Sequence, residues 1–405
     1  MSWYAMGMGE ERYDAIVVGA GPAGSAAARG IAQGGFRVLL LEEHTQIGVP
    51  LHCSGLVTPR TLEEAGLDNG LVLNRVVGAH IYAPSGRRLT LGNGLPRALV
   101  IDRVGLDRAL AESAQESGAE LMTGGRLLDA HREKGGVALA VRRKDAVQTL
   151  RTRLLIGADG AHSRVARAMG MGGPVERVLG LGAEGLLPGA DREHVQVFVG
   201  NAVAPGWFAW TIPLGNGRVR LGIGASRRVK PLAATRLFFD AYARHLGGWQ
   251  QGRWTGGVIP IWSKRVTVKD NVMLVGDAAG QVKPTSGGGI YPSLVSARLA
   301  SQAARVALTA DDLSERSLRA YPVAWDKTFG REFRRGADLR RVYKTMTDED
   351  FDRLLRIFGA KPLLSIINRH GDIDYPGGMF RRMAGATPAL WAFVRGPLRY
   401  GWLWR

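Results

Sequence analysis

A glycine-rich run, GAGPAG at residues 19–24, constrains the fold of this chain more than any other part of its sequence. An apolar segment, YDAIVV at residues 13–18, precedes it and an alanine-rich segment follows, which is the order strand, turn and helix. In such a motif one glycine permits the tight turn, one lets the backbone approach a pyrophosphate, and one lets the helix lie close to the strand. These requirements fall in turn on Gly19, Gly21 and Gly24. The run predicts an α/β domain with a parallel sheet that binds a dinucleotide.

The next predicted strand ends in an acidic residue, which narrows the choice of dinucleotide. Residues 37–42 have the sequence RVLLLE, apolar until Glu42, as expected for a strand buried in a parallel sheet. A carboxylate at this point accepts hydrogen bonds from ribose hydroxyls and repels a phosphate on the 2′ position. The first part of the chain is therefore predicted to favour FAD or NAD over NADP.

A second glycine-centred pattern lies far downstream, with VGDAAG at residues 275–280 and SGGGI at residues 286–290. Asp277 follows a short apolar strand, where its carboxylate can accept hydrogen bonds from the ribityl hydroxyls of a flavin. The glycines precede a helix, predicted over 286–308, and the N-terminal amides of a helix stabilise negative charge such as that of a reduced flavin. The two patterns together predict FAD as the cofactor.

The remaining sequence suggests how the chain is divided. Residues 180–262 are rich in short strands with aromatic residues and predict an antiparallel sheet separate from the nucleotide-binding sheet. Beyond residue 310 the pattern is helical and basic. We therefore predict an α/β fold with a discontinuous Rossmann-type FAD-binding domain at 1–165 and 266–310, an inserted antiparallel β-sheet substrate domain at 166–265, and a C-terminal helical region at 311–405.

Composition and charge limit the classes of partner. The formal net charge is +18. Either a GC-rich genome, which favours arginine codons, accounts for this charge, or the charge serves to attract an anionic lipid or a diphosphate. The sequence contains no zinc-ligand spacing and no RNA-binding signature, so we predict neither a metal site nor nucleic-acid binding. A single cysteine, Cys53, fits a reducing compartment. Without a signal peptide or a span-length apolar run, we expect a monomer that is cytoplasmic or bound peripherally to the inner face of the cell membrane.

Two further short segments contain candidate site residues. Cys53 follows the strand that ends in Glu42, on a loop expected to reach over the flavin, and it is the candidate catalytic residue. The alternative is a cysteine that acts only as a small apolar side chain. Arg103 begins a helix predicted over residues 102–118, where it either contacts cofactor phosphate or is a solvated residue at the helix start.

An aromatic strand, PGWFAWTIP at residues 205–213, is the candidate substrate-binding segment. Alternate residues of a strand share one face, so Phe208, Trp210 and Ile212 are predicted to point the same way. They either belong to an ordinary sheet core or line a tunnel for a long apolar substrate.

These motifs resemble those of the geranylgeranyl reductase family of flavoproteins, within the larger group that is similar to para-hydroxybenzoate hydroxylase and glutathione reductase in its FAD-binding domain. The resemblance covers about residues 13–299 and includes both glycine patterns, CSGL at 53–56 and DR at 102–103. The family's aromatic motif, P-x-x-Y-x-W-x-F-P, is present with Phe208 in place of tyrosine and Ile212 in place of phenylalanine. Because the phenol is lost, the preference for a substrate head group does not carry over.

The resemblance implies a set of FAD contacts. Carried over residue by residue, they fall on Gly24, Glu42, Cys53, Ser54, Leu56, Arg103, Asp277, Gly289 and Ile290, with a further backbone contact near Leu127. In archaeal-type members the cysteine motif is usually C-G-x-G. Ser54 and Leu56 replace those glycines, so these two contacts are expected through the backbone.

The resemblance also implies an FAD-dependent oxidoreductase that saturates C=C bonds of a geranylgeranyl or polyprenyl chain by hydride transfer from the reduced flavin. This polyprenyl chain is part of a lipid, of a diphosphate or of a quinone, where it forms the tail. The electron donor is open among NAD(P)H, an electron-donor protein such as a ferredoxin, and a quinol, because the sequence shows no second dinucleotide motif.

The alternatives are an aromatic hydroxylase or a halogenase of the same superfamily, and a lipid carrier that retains FAD without catalysis. Gly280 and the glycines at 287–289 argue against a hydroxylase. Trp207 and Trp210 are one residue too far apart for the W-x-W-x-I-P motif of halogenases.

The C-terminal segment at residues 389–405 interleaves aromatic side chains with arginines. Such a composition suits a lipid–water interface and predicts a peripheral membrane contact, with docking on the protein's own core as the alternative.

Overall fold

The structure, a computed structural model, describes residues 12–226 and 232–386, so the membrane contact predicted for residues 389–405 lies outside the described residues. The strands follow one another as β1 (Arg12–Val18), β2 (Val38–Leu41), β3 (Leu56–Val57), β4 (Val72–Val76), β5 (Gly78–Tyr82), β6 (Arg88–Gly92), β7 (Ala98–Ile101), β8 (Glu120–Met122), β9 (Gly125–Glu133), β10 (Gly136–Arg143), β11 (Ala146–Gly157), β12 (Glu176–Leu186), β13 (His194–Val199), β14 (Phe208–Gly215), β15 (Arg218–Ser226), β16 (Gln250–Ile261), β17 (Val268–Lys269) and β18 (Val272–Leu274).

The α-helices of the same residues connect and cover these strands. They are α1 (Pro22–Ala32), α2 (Pro59–Ala65), α3 (Arg103–Glu116), α4 (Arg164–Ala168), α5 (Leu232–Leu246), α6 (Ile290–Thr309), α7 (Glu315–Leu318), α8 (Ala320–Trp325), α9 (Arg331–Tyr343), α10 (Asp348–Phe358), α11 (Lys361–His370) and α12 (Gly377–Ala386).

The first sheet contains the nucleotide-binding motif. Its strand order is β17-β18-β11-β1-β2-β8, and the pairs from β18 to β8 are parallel. Helices α1, α3 and α6 cover one face, and the antiparallel strands β9 and β10 cover the other together with α4. Because β1 and β2 are buried on both faces, their sequences are continuous apolar runs. The predicted α/β fold is confirmed.

The second sheet has the strand order β16-β12-β15-β14-β13-β5-β6. Its pairs are antiparallel except for β13 and β5, which are parallel. The hairpin of β5 and β6 comes from residues 78–92, before the range of 166–265 that the sequence analysis assigned to this sheet. A pairing between strands so far apart in the chain leaves no local signal in the sequence. The small third sheet has the order β3-β7-β4.

Helix α5 packs on one face of the second sheet, and the strand-rich prediction for residues 180–262 did not include it. Phe239 and Tyr242 are buried against Ala209 and Ile223 of the sheet. The apolar side chains recur at helical spacing, at positions 239, 242, 243 and 246, as in an amphipathic helix covering a core.

The C-terminal helices contact both sheets. In α8, α9 and the π-helix between them (Asp326–Gly330), an aromatic side chain occurs at every fourth residue and joins the core of the first sheet: Tyr321, Trp325, Phe329 and Phe333. Leu355 of α10 and Leu363 of α11 belong to clusters that include the side chains of β6. No helix among the described residues is long and apolar enough to cross a membrane.

Candidate cofactor and substrate site

The loop between β1 and α1 has the geometry that its three glycines predict. Gly19 has a φ of +101°, and a Cβ on it would lie 2.5 Å from the carbonyl oxygen of Ala158. A Cβ on Gly24 would overlap the carbonyl oxygen of Gly19, so the helix and the turn are in direct contact. A Cβ on Gly21 would meet nothing within 4 Å. The backbone at Gly21 therefore faces open space at the N-terminus of α1, which has no side-chain cap, and this is the surface that a pyrophosphate needs.

Glu42 lies beside this loop. Its Oε2 accepts a hydrogen bond from the N–H of Ala20 at 2.9 Å, and its Oε1 accepts one from the N–H of His44 at 2.9 Å. The N–H of Gly125 donates to the backbone oxygen of Glu42 at 2.9 Å, so β9 begins alongside it. Leu127, two residues later, is buried in the same strand. Glu42 and the start of β9 thus border one end of the loop, where the adenosine of a dinucleotide is expected.

Arg103 begins α3 and lies mostly inside the protein. Asp102 caps this helix by accepting hydrogen bonds from the N–H groups two and three residues later. Burial disfavours the charge of Arg103, but Asp107 and Cys53, both in contact with the guanidinium, stabilise it and raise its pKa above the ordinary value. The Nε of Arg103 is buried and has no hydrogen-bond partner among the described residues. This donor is available to an acceptor that is not part of the chain, and cofactor oxygens are such acceptors.

Asp277 follows β18 and lies against the start of α6. A Cβ on Gly289 would be 3.1 Å from Oδ1 of Asp277, so the carboxylate contacts the backbone just before Ile290, the first residue of the helix. No side chain caps α6. Desolvation raises the pKa of Asp277 to about 6, and Arg103 lowers it only in part. A Cβ on Gly276 would lie 2.7 Å from Cβ of Ala23, so the two glycine patterns meet at one place in the fold.

We expect FAD affinity to depend on pH through Asp277. A carboxylate that accepts O–H bonds from a ligand is ionised, so affinity should rise as the pH increases through about 6 and level off above it. The free energy of unfolding of the FAD-free protein should instead fall as the pH rises through this range. An unfolded aspartate ionises near pH 3.9, and the stability gained by holding the proton is lost as the pH rises from about 4 to 6.

FAD titrations at several pH values, followed by flavin fluorescence, measure this dependence, and Asp277→Asn should flatten it. An equally steep profile in Asp277→Asn would assign the dependence to another group.

The segment that contains Cys53, residues 50–56, crosses between the two sheets, and we call it the cysteine loop. Arg103 contacts Cys53 from the side of the first sheet. Nδ1 of His52 lies 2.5 Å from the carbonyl oxygen of Gly256 in β16, so the loop also touches the second sheet. The side chain of Cys53 remains partly exposed between these contacts.

Arg220 anchors the cysteine loop, and the sequence analysis did not select it. It is 6% exposed and lies in β15. Its NH1 donates to the backbone oxygens of Ser54 at 2.8 Å and Ile101 at 3.1 Å, while its Nε donates to Glu184 at 2.6 Å. An arginine within the otherwise apolar run VRLGIG at 219–224 is the sequence signal that could have identified it.

The aromatic strand lies against the glycine loop that precedes α6. Phe208 and Trp210 have ring centroids 5.8 Å apart, and Trp207 stacks on Phe208 at 5.0 Å. A Cβ on Gly287 would lie 3.1 Å from the ring of Trp207, so this aromatic surface adjoins the loop. Phe208 and Trp210 are partly exposed, whereas Ile212 is 3% exposed and belongs to the core between the second and third sheets.

A buried polar network ties the same glycine loop to the C-terminal region. Nζ of Lys283 donates to Oδ1 of Asp374 at 2.7 Å, and Oγ1 of Thr58 donates to Oδ2 at 2.5 Å. Asp374 is 2% exposed, and Lys283 lies beside Gly288. The region assigned to 311–405 therefore takes part in closing the site, which its sequence did not indicate.

The described residues fit FAD. They provide an open backbone at Gly21, an unpartnered donor on Arg103, a carboxylate at Asp277 and an uncapped helix at Ile290. The cysteine loop contacts Arg103 on one side and β16 of the second sheet on the other. The individual contacts to FAD stay predictions.

Comparisons with known proteins agree with this site. A family model described as FAD binding domain matches residues 12–221. Digeranylgeranylglycerophospholipid reductase 2 of Methanothermobacter thermautotrophicus is 31% identical over 366 residues, which cover 88% of this chain and 94% of that protein.

Solved structures of other proteins have a similar fold. A geranylgeranyl bacteriochlorophyll reductase-like protein from Thermoplasma acidophilum superposes with a TM-score of 0.87 at 26% identity, covering 96% of this chain and 100% of that one. A p-nitrophenol 4-monooxygenase from Pseudomonas putida has a TM-score of 0.71 at 17% identity and covers 89% of this chain and 97% of its own, which shows a shared fold alone.

Proposed function

Because the chain belongs to the geranylgeranyl reductase family of FAD-dependent oxidoreductases, we propose that it reduces C=C bonds in the geranylgeranyl chains of a glycerophospholipid. The name of its relative, digeranylgeranylglycerophospholipid reductase, supports this substrate. The structural observation that carries the proposal is the aromatic surface of Phe208 and Trp210 beside the glycine loop. An isolated alkene offers no polar group, so an apolar wall must hold it by shape.

The residues of the chain bind the cofactor and keep the reacting bond dry. FAD, when bound, supplies the two electrons of the reduction. The open backbone at Gly21, the carboxylate of Glu42 and the free donor of Arg103 hold it in place. The uncapped N-terminus of α6 stabilises negative charge that develops at that end of the site. The stacked aromatic rings exclude water from the bond.

Saturation of one C=C bond also requires a proton, and Cys53 is the residue we assign to this step. Its thiol lies on the cysteine loop, in contact with Arg103, and gives its proton to the alkene carbon. Arg103, in contact with Cys53, stabilises the thiolate that remains. Solvent then returns the proton to the thiolate.

The replacement Cys53→Ala is expected to keep FAD bound and to slow the reduction by about 100-fold, the lower end of the effect of removing a general acid. The enzyme is photoreduced under anaerobic conditions and mixed with vesicles that contain a geranylgeranyl phospholipid. The return of oxidised-flavin absorbance gives the rate, and mass spectrometry shows a gain of two hydrogens per reduced bond. Cys53→Ser keeps a weaker acid at the same place, so its reduction rate should lie between those of the wild type and Cys53→Ala.

An unchanged rate in Cys53→Ala would return Cys53 to a packing role and leave the function intact. If the wild-type flavin stays reduced with this lipid, the phospholipid assignment is wrong. Oxygen consumption with a hydroxylated aromatic product would instead identify the aromatic hydroxylase of the same superfamily.

A further inference from the structure

Three side chains of metal-binding type meet on the second sheet. His80 lies in β5, His194 is the first residue of β13, and Asp191 precedes that strand. One ligand atom from each lies within 4.8 Å of the other two. Nε2 of His80 is 3.0 Å from Oδ2 of Asp191, and Nδ1 of His194 is 3.2 Å from the same oxygen.

The three ligand atoms lie close enough together for one ion to reach all of them. Zinc bonds to nitrogen and oxygen of roughly 2.0–2.2 Å, in a tetrahedral arrangement, hold neighbouring donor atoms about 3.3–3.6 Å apart. The separations of 3.0 and 3.2 Å, which are hydrogen-bond distances, would therefore widen by a few tenths of an ångström around an ion. We propose that His80, Asp191 and His194 bind a divalent transition-metal ion, of which zinc is the best match, with water as the fourth ligand. Two imidazoles and one carboxylate are a ligand set that zinc accepts.

Surrounding groups hold each ligand in position. Nδ1 of His80 lies 3.0 Å from Oγ1 of Thr90. When Nδ1 carries the proton and donates it to Thr90, the lone pair on Nε2 faces the carboxylate of Asp191. In this tautomer a metal ion would bridge Nε2 and the carboxylate, whereas in the other tautomer the Nε2–H of His80 donates to Asp191 directly. A metal-binding histidine commonly has such a partner on its other nitrogen.

Asp191 is likewise held in position by hydrogen bonds. Its Oδ1 accepts hydrogen bonds from the N–H groups of Glu193 at 2.8 Å and His194 at 3.0 Å, which leaves Oδ2 for the two imidazoles. The rings of His80 and His194 stack with centroids 4.3 Å apart, so both are fixed before an ion arrives.

The position of the cluster indicates a structural role. His80 alternates with Ala79, which packs in the core that contains Ile212, so the cluster lies on the opposite face of the sheet. A metal ion there would join β5, from the early part of the chain, to β13. The site could not be predicted from residue spacing in the sequence, because more than a hundred residues separate His80 from Asp191.

Zinc binding to the FAD-loaded protein, freed of any purification tag, tests the proposal. We expect about one zinc ion per chain by competition with a chromogenic chelator, and a higher Tm in the presence of zinc. Cobalt added in place of zinc should give the visible bands of a tetrahedral site. Asp191→Asn and His80→Gln should each weaken binding by at least about 10-fold and remove these bands.

His131→Gln, an exposed histidine in β9, serves as the control and should bind like the wild type. Thr90→Val keeps all three ligands and should weaken binding by about 10-fold, so the test holds even if a ligand variant fails to fold. Absence of zinc binding in the wild type would overturn the proposal, and so would equal binding in Asp191→Asn. In the first case the cluster is a hydrogen-bonded pair of histidines around Asp191.

Discussion

Replacement of Gly21 by alanine is expected to weaken FAD binding by about 100-fold, near the upper end of the roughly 1–3 kcal/mol cost of one overpacked group. The added methyl group would project into the open space at the N-terminus of α1, where the pyrophosphate must pass. Gly21 has a φ of −76°, so alanine adopts its backbone without strain, and the added Cβ meets no protein atom within 4 Å. The free energy of unfolding of the FAD-free protein should therefore change by less than about 1 kcal/mol.

The combination of normal folding and lost FAD separates a binding role from a structural one. FAD affinity is measured by fluorescence quenching, and stability by urea unfolding of the FAD-free protein. Gly378→Ala is the matched control, since a Cβ there also meets nothing within 4 Å, and it should bind FAD like the wild type. Full FAD affinity in Gly21→Ala would mean that the pyrophosphate does not pass this loop.

Replacement of Arg220 by methionine should lower kcat by about 100-fold while the protein still binds FAD. The cysteine loop would lose its hydrogen bond at Ser54, and a displacement of a reacting group by about 1 Å can cost this much. The change also leaves Glu184, which is 19% exposed, without its closest partner. The double variant Arg220→Met, Glu184→Gln removes that unpaired charge and should regain stability but not kcat.

Arg218→Met is the control for this experiment. Arg218 lies two residues earlier in β15 and also pairs with Glu184, at 3.5 Å, but it is 58% exposed and does not touch the cysteine loop. A surface ion pair of this kind contributes about 0–1 kcal/mol, so both stability and kcat should stay close to those of the wild type. Normal turnover in FAD-loaded Arg220→Met would show that the loop keeps its position without the anchor.

The parts of the site that the sequence predicted well are those in which neighbouring residues meet a local requirement. Gly19 and Gly24 lie within one turn of each other, and each avoids an overlap with nearby backbone. Glu42 directly follows β2, which pairs in parallel with β1, and this places it beside the glycine loop. Both requirements can be deduced from the order strand, turn, helix and strand.

The parts that the sequence could not predict depend on contacts between distant segments. Arg220 has its partners at Ser54, Ile101 and Glu184, and no spacing in the sequence relates them. The hairpin of β5 and β6 pairs with β13 only because the fold brings the two together. Helix α5 was missed for a different reason, because its bulky aromatic residues also favour strands and tertiary packing decides between the two states.

The order of strands in the first sheet has a consequence for biosynthesis. Strand β1 pairs with β11, and β11 pairs with β18, so a chain still on the ribosome cannot complete this sheet until residue 274 has emerged. Gly19 likewise cannot pack against Ala158 until residue 158 has been synthesised, and Arg103 cannot interact with Asp277 until residue 277 has been synthesised. FAD must therefore be loaded late, after α6 has left the exit tunnel. Until then β1 has its early partner β2 but lacks β11, and an apolar strand with one unpaired edge favours aggregation.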